Sequence, residues 1–363
     1  MINRDLPDFP WDALTGPKAR AQAHPGGIVD LSMGTPVDPV PEVLRAALGS
    51  VADVPGYPAT HGTPALREAA VAAMARRFDV TGLSPDAVLP TIGSKELVAW
   101  LPTLLGVGPG DVVVIPTLGY PTYEVGVRLA GAEPIRADGL TALGPRRPAL
   151  IWVNSPANPT GQVLPEEHLR KVVDWARERD TIVASDECYL TLGWEREPVS
   201  VLHPSVSGGR PDGLLAVHSL SKSSSLAGYR AGFVTGDPDL VARLLAVRKH
   251  AGMIVPRPVQ AAITAALTDD EHIAVQRARY AARRAALRPA LEAAGFVVTH
   301  SEAGLYLWAG RDEPADTTVG WLAERGILVA PGTFYGPTGD RHVRIALTAT
   351  DERIATAVER LTN

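Results

Sequence analysis

The sequence predicts an α/β protein with a mostly parallel, doubly wound sheet that carries helices on both faces, followed by a smaller α+β unit. Between about residues 88 and 235, short apolar runs alternate with longer segments of helical character. This alternation is typical of strands buried on both faces and joined by crossover helices. After Gly295 the strands become shorter, which indicates a second unit.

Each element of the large sheet follows from a run of apolar or β-branched residues bounded by turn formers. The predicted strands lie at 88–92, 111–115, 150–153, 181–185, 214–217 and 233–235. Helices are predicted at 41–48, 64–77, 121–129 and 165–179, each of which begins with a proline, and residues 238–294 are predicted to be largely helical. Strands at 28–32, 297–299, 305–308, 327–329 and 343–347 complete the pattern.

The order of these elements predicts how the chain divides. Residues 1–40 form an N-terminal arm and part of a small domain, residues 41–250 form the large domain, and residues 251–363 form the C-terminal small domain. A length of 363 residues is ample for two hydrophobic cores.

Composition excludes several classes of function. A net charge of -5 gives no basic footprint for nucleic acid, and no apolar run approaches the ~20 residues of a membrane span. The N-terminus, with Asp5 and Asp8, lacks the apolar core of a signal peptide, so we expect a cytoplasmic protein. The single cysteine, Cys188, excludes a multi-cysteine metal site and reads as a small buried side chain.

The polar stretch at 218–232 follows the predicted strand at 214–217. It places Lys222 among five serines, with Arg230 eight residues later. Hydroxyls and a guanidinium suit a phosphate, and a lysine can act as an amine nucleophile beside it. A polar loop after a strand has the same composition, so this stretch alone leaves both interpretations open.

Two further strand ends carry groups that suit a phosphorylated ring. Gly93, Ser94 and Lys95 precede a helix, where free N–H groups favour an anion, although a plain helix cap has the same pattern. Tyr120 and Tyr123 follow the strand at 111–115, and either ring could stack on a flat cofactor.

Two more predicted strands, at 150–153 and 181–185, are followed by an amide and a carboxylate. Asn158 precedes Pro159 in a turn-forming loop, and its amide could donate to a ring oxygen or a carboxylate. Asp186 could cap a helix or lie under a protonated pyridine nitrogen, where it keeps the ring cationic. In open α/β sheets, the ends of such strands meet where ligands bind.

Taken together, these clusters resemble the fold-type I pyridoxal-phosphate aminotransferases of class I/II over nearly the whole chain. The matching motifs are 34–36, Tyr57 with Gly62 and 66–69, 93–96, 116–123, 158–161, 186–189, 219–232 and 343–345. The resemblance implies the PLP-dependent transferase fold type I, with a seven-stranded, mostly parallel sheet in the large domain. It also implies pyridoxal 5'-phosphate as cofactor, no metal, and a homodimer with shared active sites.

The resemblance assigns roles to residues at these motifs. Lys222 would form the internal aldimine and later carry the proton, and Asp186 would pair with the pyridinium nitrogen. Asn158 and Tyr189 would hold the 3-oxygen of the cofactor, and Tyr120 would stack on its ring.

Other residues are assigned by the same resemblance to the phosphate and the substrate. The phosphate would be bound by Ser94, Ser219, Ser221, Arg230, the backbone of Gly93 and Lys95, and Tyr57 of the neighbouring subunit. Arg344 would clamp the substrate α-carboxylate bidentately, with Gly34 and Asn158 beside it.

The overall pattern is most similar to actinobacterial N-succinyldiaminopimelate aminotransferases of lysine biosynthesis. This similarity implies a ping-pong exchange of the amino group between N-succinyl-LL-2,6-diaminopimelate and 2-oxoglutarate. Both substrates carry a distal carboxylate, for which the candidate cations are Lys18, Arg20, Lys95 and Arg257. The alternatives are a broader aspartate, alanine or aromatic aminotransferase, a carbon–sulfur β-lyase, or the ligand-sensing domain of a transcription regulator.

Overall fold

The structure is a computed structural model that describes residues 6–363. Residues 1–5 of the predicted arm, Asp5 among them, lie outside the described residues.

Strands of three sheets are distributed along the chain. In chain order they are β1 (Val29–Asp30), β2 (Val88–Ile92), β3 (Val112–Ile115), β4 (Glu133–Arg136), β5 (Leu150–Asn154), β6 (Ile182–Asp186), β7 (Leu214–Ser219), β8 (Ala231–Gly236), β9 (Val297–Thr299), β10 (Tyr306–Gly310), β11 (Ile327–Leu328), β12 (Ala330–Pro331) and β13 (Val343–Ala346).

The large sheet has seven strands in the order β2-β8-β7-β6-β5-β3-β4. The strands β3 to β7 pair in parallel, whereas β8 is antiparallel to both of its neighbours. The predicted seven-stranded, mostly parallel sheet is therefore confirmed. Sequence reasoning missed β4, because its strand carries Pro134 between charged ends; proline is tolerated there since β4 is an edge strand.

The antiparallel strand β8 matters for the site. No α-helix lies between β7 and β8, so the chain turns back at the same edge of the sheet and pairs Ser219 with Gly232. Strand β2 ends beside the start of β8, with Ile92 opposite Ala231. Three chain segments that are distant in sequence thus meet at one edge of the sheet.

The helices cover both faces of this sheet. In chain order the α-helices are α1 (Thr15–Gln22), α2 (Glu42–Gly49), α3 (Pro64–Phe78), α4 (Gly93–Leu104), α5 (Thr122–Ala130), α6 (Glu166–Arg177), α7 (Pro204–Ser207), α8 (Pro238–Ala251), α9 (Arg257–Thr268), α10 (Glu271–Ala293), α11 (Ala315–Glu324) and α12 (Asp351–Thr362). One apolar core contains side chains of α2, α3, α6 and α9, and another contains side chains of α4, α5 and α8.

The smaller unit is built around an antiparallel sheet of order β12-β13-β10-β9. The N-terminal strand β1 pairs in parallel with β11, so the beginning of the chain packs with its end. Its apolar core includes Val29, Tyr280 and Leu322. The division near residue 250 remains a proposal, and α9, which follows it, packs with the core of the large sheet.

Within residues 6–363, none of the helices is both long and apolar enough to span a bilayer.

Candidate active site

A cavity of about 1370 Å³ lies where the strand ends of the large sheet face the N-terminal arm and the smaller unit. Most of the site residues implied by the resemblance line it. These are Gly34, Ser94, Lys95, Tyr120, Asn158, Asp186, Tyr189, Ser219, Ser221, Lys222, Arg230 and Arg344. Gly93 lies behind the lining against Arg230, and Tyr57 is 95% exposed and does not line the cavity.

Asp186 ends β6 and is held by two donors. The hydroxyl of Tyr123 donates to Oδ2 at 2.7 Å, and the backbone N–H of Cys188 donates to Oδ1 at 3.2 Å. No helix begins directly after Asp186, since the next one, α7, starts at Pro204, so the helix-cap alternative does not apply. Burial raises the pKa of Asp186, and both donors counteract that rise because they stabilise the ionised form. A cation brought next to this carboxylate would stabilise the ionised form further.

Tyr120 and Tyr123, which the sequence could not distinguish, have separate positions. Tyr123 is buried and stacks on Trp152 with ring centroids 5.1 Å apart, so its face is not available to a ligand. Tyr120 lines the cavity, and burial raises its pKa to about 12, which keeps the hydroxyl neutral. Of the two rings, Tyr120 is the one that can stack on a cofactor.

Lys222 follows β7, and its side chain is enclosed by the cavity. Its Nζ donates to the backbone carbonyl of Gly34. Burial lowers the pKa of this lysine, and the charges of Arg344 and Arg230 lower it further. A lysine with a lowered pKa has a larger neutral fraction near pH 7, which is the form that attacks a carbonyl.

Gly34 is required because Tyr306 lies against it. A Cβ at this position would collide with the Tyr306 hydroxyl. The carbonyl of Gly34 therefore reaches Lys222 only because residue 34 has no side chain.

An anion cradle forms where β2, β7 and β8 meet. Arg230, in a left-handed conformation, donates from Nη1 to the carbonyl of Ala227 at 2.7 Å, which orients its guanidinium. That guanidinium packs directly over Gly93, where a Cβ would collide with Nη2. Gly93 also has a positive φ of 71°, a second reason for glycine at this position.

The remaining donors of the anion cradle come from the serines and from the start of α4. The residue before α4, Ile92, provides no side-chain cap, so the plain-cap alternative for this motif is wrong. The first N–H groups of a helix are unpaired and carry partial positive charge, which favours an anion. Ser94, Ser219 and Ser221 line the cavity at the same point, and the N–H of Ser221 donates to Ser219 Oγ at 3.2 Å.

Asn158 and Arg344 are in direct contact. Arg344 Nη1 donates to Asn158 Oδ1 at 2.9 Å, and Arg344 Nη2 donates to the carbonyl of Ser32 at 2.7 Å. Asn154 fixes the loop, since its Oδ1 accepts from the N–H of Asn158 and its Nδ2 donates to the carbonyl of Asp186. Asn154 was missed although it also ends a strand.

Sequence reasoning also missed two tyrosines that enclose Arg344. Its guanidinium carbon lies 3.9 Å from the ring centroid of Tyr306 and 4.8 Å from that of Tyr335. Such stacking suits a planar guanidinium and would not suit lysine. The hydroxyl of Tyr306 also lies 3.2 Å from that of Tyr189. No local motif marks these tyrosines, because strand and loop packing alone brings them to Arg344.

The other candidate groups are placed as follows. Cys188 is half-buried, lines the cavity, and has a pKa raised well above its ordinary value by burial, so its thiol stays protonated. Of the four candidate cations for a distal carboxylate, Lys95 lines the cavity, whereas Lys18, Arg20 and Arg257 do not. Within residues 6–363, no cluster of three or more histidine, cysteine or acidic side chains is arranged to hold a metal ion.

The donor set fits a phosphorylated pyridine aldehyde. An anion cradle, a buried carboxylate and a lysine with a lowered pKa all line the same cavity. Arg230, Asp186 and Lys222 are the groups that would hold its phosphate, its ring nitrogen and its aldehyde carbon.

Comparisons with known proteins agree with this chemistry. The family model for aminotransferase class I and II matches residues 27–361. A probable aminotransferase of Mycobacterium tuberculosis is 67% identical over 361 residues, covering 99% of this chain and 86% of that protein. The 4-dedimethylamino-4-oxo-anhydrotetracycline transaminase OxyQ of Streptomyces rimosus is 59% identical over 359 residues, covering 99% of this chain and 100% of that protein.

A solved structure shows the same fold. The crystal structure of an aminotransferase from Neisseria meningitidis superimposes with a TM-score of 0.90 at 30% identity, covering 100% of this chain and 98% of that chain. The chain therefore belongs to the class I and II aminotransferases, which use pyridoxal 5'-phosphate as their cofactor.

Proposed function

We propose that this aminotransferase exchanges the amino group of N-succinyl-LL-2,6-diaminopimelate with 2-oxoglutarate, in lysine biosynthesis. The observation that carries the proposal is the presence of Arg344 and Lys95 in the cavity lining, in addition to Lys222 and Arg230; Arg136 also lines the cavity but forms an ion pair with Glu124. Arg344 is enclosed by tyrosines on one side, and the side chain of Lys95 is exposed to the cavity on another. Two cations match an α-carboxylate and a distal carboxylate, which both proposed substrates carry.

The side chains would divide the reaction as follows. Pyridoxal phosphate, when bound, supplies an aldehyde that accepts the amino group and a ring that takes up negative charge. Lys222, whose pKa is lowered by burial, would remove the proton from the substrate Cα and return it at the next step. Asp186, which accepts a hydrogen bond from Tyr123 that counteracts the effect of burial on its pKa, would pair with the ring nitrogen of the cofactor.

Arg344 binds the α-carboxylate and is itself oriented by Asn158 and the carbonyl of Ser32. Because both of these partners are fixed in the fold, the guanidinium is positioned before substrate arrives. In this reaction the first product leaves before the second substrate enters the same site, so we expect ping-pong kinetics.

Lys95 is our candidate for the distal carboxylate. Its Nζ lies 6.0 Å from the ring centroid of Tyr120 and 5.8 Å from that of Phe9. Burial and the charge of Arg230 lower its pKa from a high ordinary value. Its side chain is free to serve this role while its backbone N–H stays with the start of α4.

We also propose a cytoplasmic homodimer with shared active sites. Tyr57, 95% exposed and outside the cavity of its own chain, would bind the phosphate of the neighbouring subunit. An aromatic side chain left this exposed is typical of a protein interface. Tyr57→Phe in the holoenzyme should weaken cofactor binding if the dimer shares its sites.

A half-reaction screen tests the substrate. The absorbance of the bound cofactor is followed while single amino acids are added to the holoenzyme. N-succinyl-LL-2,6-diaminopimelate and L-glutamate should react at least about tenfold faster than L-aspartate, L-alanine or L-phenylalanine. Equal rates for all five would support the broader aminotransferase, and release of ammonia and pyruvate without a 2-oxo acid would support the β-lyase.

Lys95→Gln tests the distal cation. Loss of a charge-assisted bond should raise KM for both dicarboxylic substrates by about tenfold. Lys18→Gln is the matched control, since Lys18 lies on α1 outside the cavity lining. An unchanged KM in the Lys95 variant would contradict this assignment.

A second candidate activity is amination of a bulky oxo compound. It is favoured by the size of the cavity, which exceeds the ~300–1,000 Å³ of ordinary ligand pockets. The relative from Streptomyces rimosus is named for a 4-oxo-anhydrotetracycline. Turnover of such a ketone, with little turnover of the succinylated amino acid, would favour this candidate.

A further inference from the structure

Three aromatic side chains form a continuous surface on one side of the cavity. Phe9 and Trp11 come from the N-terminal arm, and Phe334 comes from the loop after β12. The ring centroids of Phe9 and Trp11 are 5.5 Å apart, and those of Trp11 and Phe334 are 5.6 Å apart. We call these three side chains the aromatic wall.

The aromatic wall is anchored at one end and open at the other. Trp11 and Phe334 pack partly buried against the apolar cluster that contains Leu14 and Leu328. Phe9 lies beyond this cluster and is 53% exposed. Because exposed phenyl area is costly in water, a ligand that covered Phe9 would gain binding energy. The Phe9 ring packs on Trp11, which in turn packs on Phe334, and these contacts hold Phe9 in place for a ligand.

The position of the aromatic wall relates it to the substrate. All three rings line the cavity that contains Lys222 and Arg344. At its open end, the ring of Phe9 lies 5.8 Å from Lys95 Nζ, the proposed cation for the distal carboxylate. A substrate that reaches from Arg344 to Lys95 therefore occupies a cavity with an aromatic surface on one side and Phe9 next to its distal end.

We propose that the aromatic wall is a specificity site for the flat or apolar middle section of a long substrate side chain. This inference rests on the proposed function, and it assigns side chains to the part of the substrate that lies between Arg344 and Lys95. In N-succinyl-LL-2,6-diaminopimelate this section is a chain of methylene groups followed by a planar amide, with a further carboxylate on the carbon that joins them. Methylene groups and a planar amide both pack well on ring faces.

The same geometry selects against an unacylated side chain. A free ε-ammonium at this place would lie near the positive charge of Lys95, and like charges at short range repel. Acylation replaces that ammonium with a neutral amide and adds a second distal carboxylate to the one that the diamino acid already carries, so the net charge facing Lys95 changes from neutral to negative. The aromatic wall and Lys95 together therefore favour the N-acylated amino acid over the free diamino acid.

Substitution of Phe9 in the holoenzyme tests the inference. Half-reaction kcat/KM is measured for N-succinyl-LL-2,6-diaminopimelate, LL-2,6-diaminopimelate and L-glutamate. In Phe9→Ala, the ratio of kcat/KM for the succinylated donor to that for L-glutamate should fall about tenfold, as expected for lost apolar contact. Phe9→Leu, which keeps apolar area without a ring, should lose less. Val297→Ala, at another exposed apolar side chain that lies outside the cavity, is the control.

An unchanged ratio in Phe9→Ala, or an equal fall for all three donors, overturns the inference, because either result leaves Phe9 without a role in selection. If the wild-type enzyme does not react with the succinylated donor, the proposed function fails and the aromatic wall is tested separately. Nε-acetyl-L-lysine is then used as substrate, or as inhibitor of the L-glutamate reaction. Binding that Phe9→Ala weakens supports the aromatic wall, whereas no binding, or binding that this variant leaves unchanged, overturns it.

Discussion

The two sides of the cavity are built in different ways. On the large-sheet side, Asp186, Ser219 and Lys222 stand at the ends of strands whose register is set by backbone pairing. On the opposite side, Phe9 and Phe334 come from an arm and a loop, and they are held by packing of one ring on another. One side is polar and hydrogen-bonded, and the other is largely apolar and more exposed.

From this difference we expect the large-sheet side to carry out the chemistry and the opposite side to select the substrate. Proton transfer and charge stabilisation need groups fixed to fractions of an ångström, which strand ends in a buried sheet provide. Recognition of a side chain needs only a surface of suitable shape and polarity, which loops can supply and vary. Substitutions on the large-sheet side should therefore change rate and spectrum, and substitutions on the other side should change which substrate is preferred.

Lys222→Ala tests the large-sheet side with the largest expected effect. Loss of the amine nucleophile and proton carrier should lower kcat by about a thousandfold or more. The bound cofactor should also lose its absorbance near the visible edge, which a spectrum of the purified protein would show. Lys249→Ala, an exposed lysine in the last turn of α8, is the control. A variant that remained active and yellow would exclude this role for Lys222.

Arg344→Lys tests the group that both sides share. Lysine cannot reproduce the bidentate fork or the stacking between Tyr306 and Tyr335. We expect a loss of about 1.5–3 kcal/mol in substrate binding, measured as a 10- to 100-fold rise in KM with a smaller change in kcat. Arg341→Lys, an exposed neighbour, should behave as wild type. Unchanged substrate affinity in the Arg344 variant would refute the assignment.

Of these substitutions, Tyr123→Phe has the smallest expected effect. It tests whether a hydrogen bond on the large-sheet side controls the protonation of Asp186. The hydroxyl donates to ionised Asp186, so its removal should raise the pKa of Asp186 further above its ordinary value. The carboxyl then takes up its proton at a higher pH, and the acid limb of the kcat/KM profile should move to higher pH. Cofactor affinity should fall by up to about tenfold.

Equilibrium dialysis of pyridoxal phosphate and the pH profile check these two effects of the Tyr123 variant. Tyr229→Phe, an exposed tyrosine, is the control. If the profile does not move, Tyr123 acts only through its packing on Trp152.

Much of the large-sheet side could be predicted from local sequence. Each strand is a short apolar run that ends in a polar residue, so Asp186, Asn158 and Lys222 could be picked out as candidates one by one. Parallel pairing then brings the ends of successive strands together, so residues from separate local motifs form one site. The sequence did not predict the strand at Glu133–Arg136, because charged residues and a proline are not typical of a strand, although an edge strand tolerates them.

The opposite side could not be predicted in this way. Tyr306 and Tyr335 carry no motif, and their place around Arg344 depends on antiparallel pairing of β10 with β13 and on a loop turned toward the large sheet. Arg136 helps to fix that loop by donating to the carbonyls of Thr117 and Tyr335. Contacts between residues about 200 positions apart leave no periodic signal in the sequence.

The sequence by itself determined the fold class, the order of the strands' polar ends and the identity of the amine, the carboxylate and the anion donors. It did so because hydrophobic periodicity and turn residues act over short stretches of chain. Only the tertiary structure decided which tyrosine binds Asp186, which lysine of the candidates reaches the cavity, and which aromatic side chains line it. Those choices depend on packing between distant segments, which is set when the two units and the N-terminal arm close around one cavity.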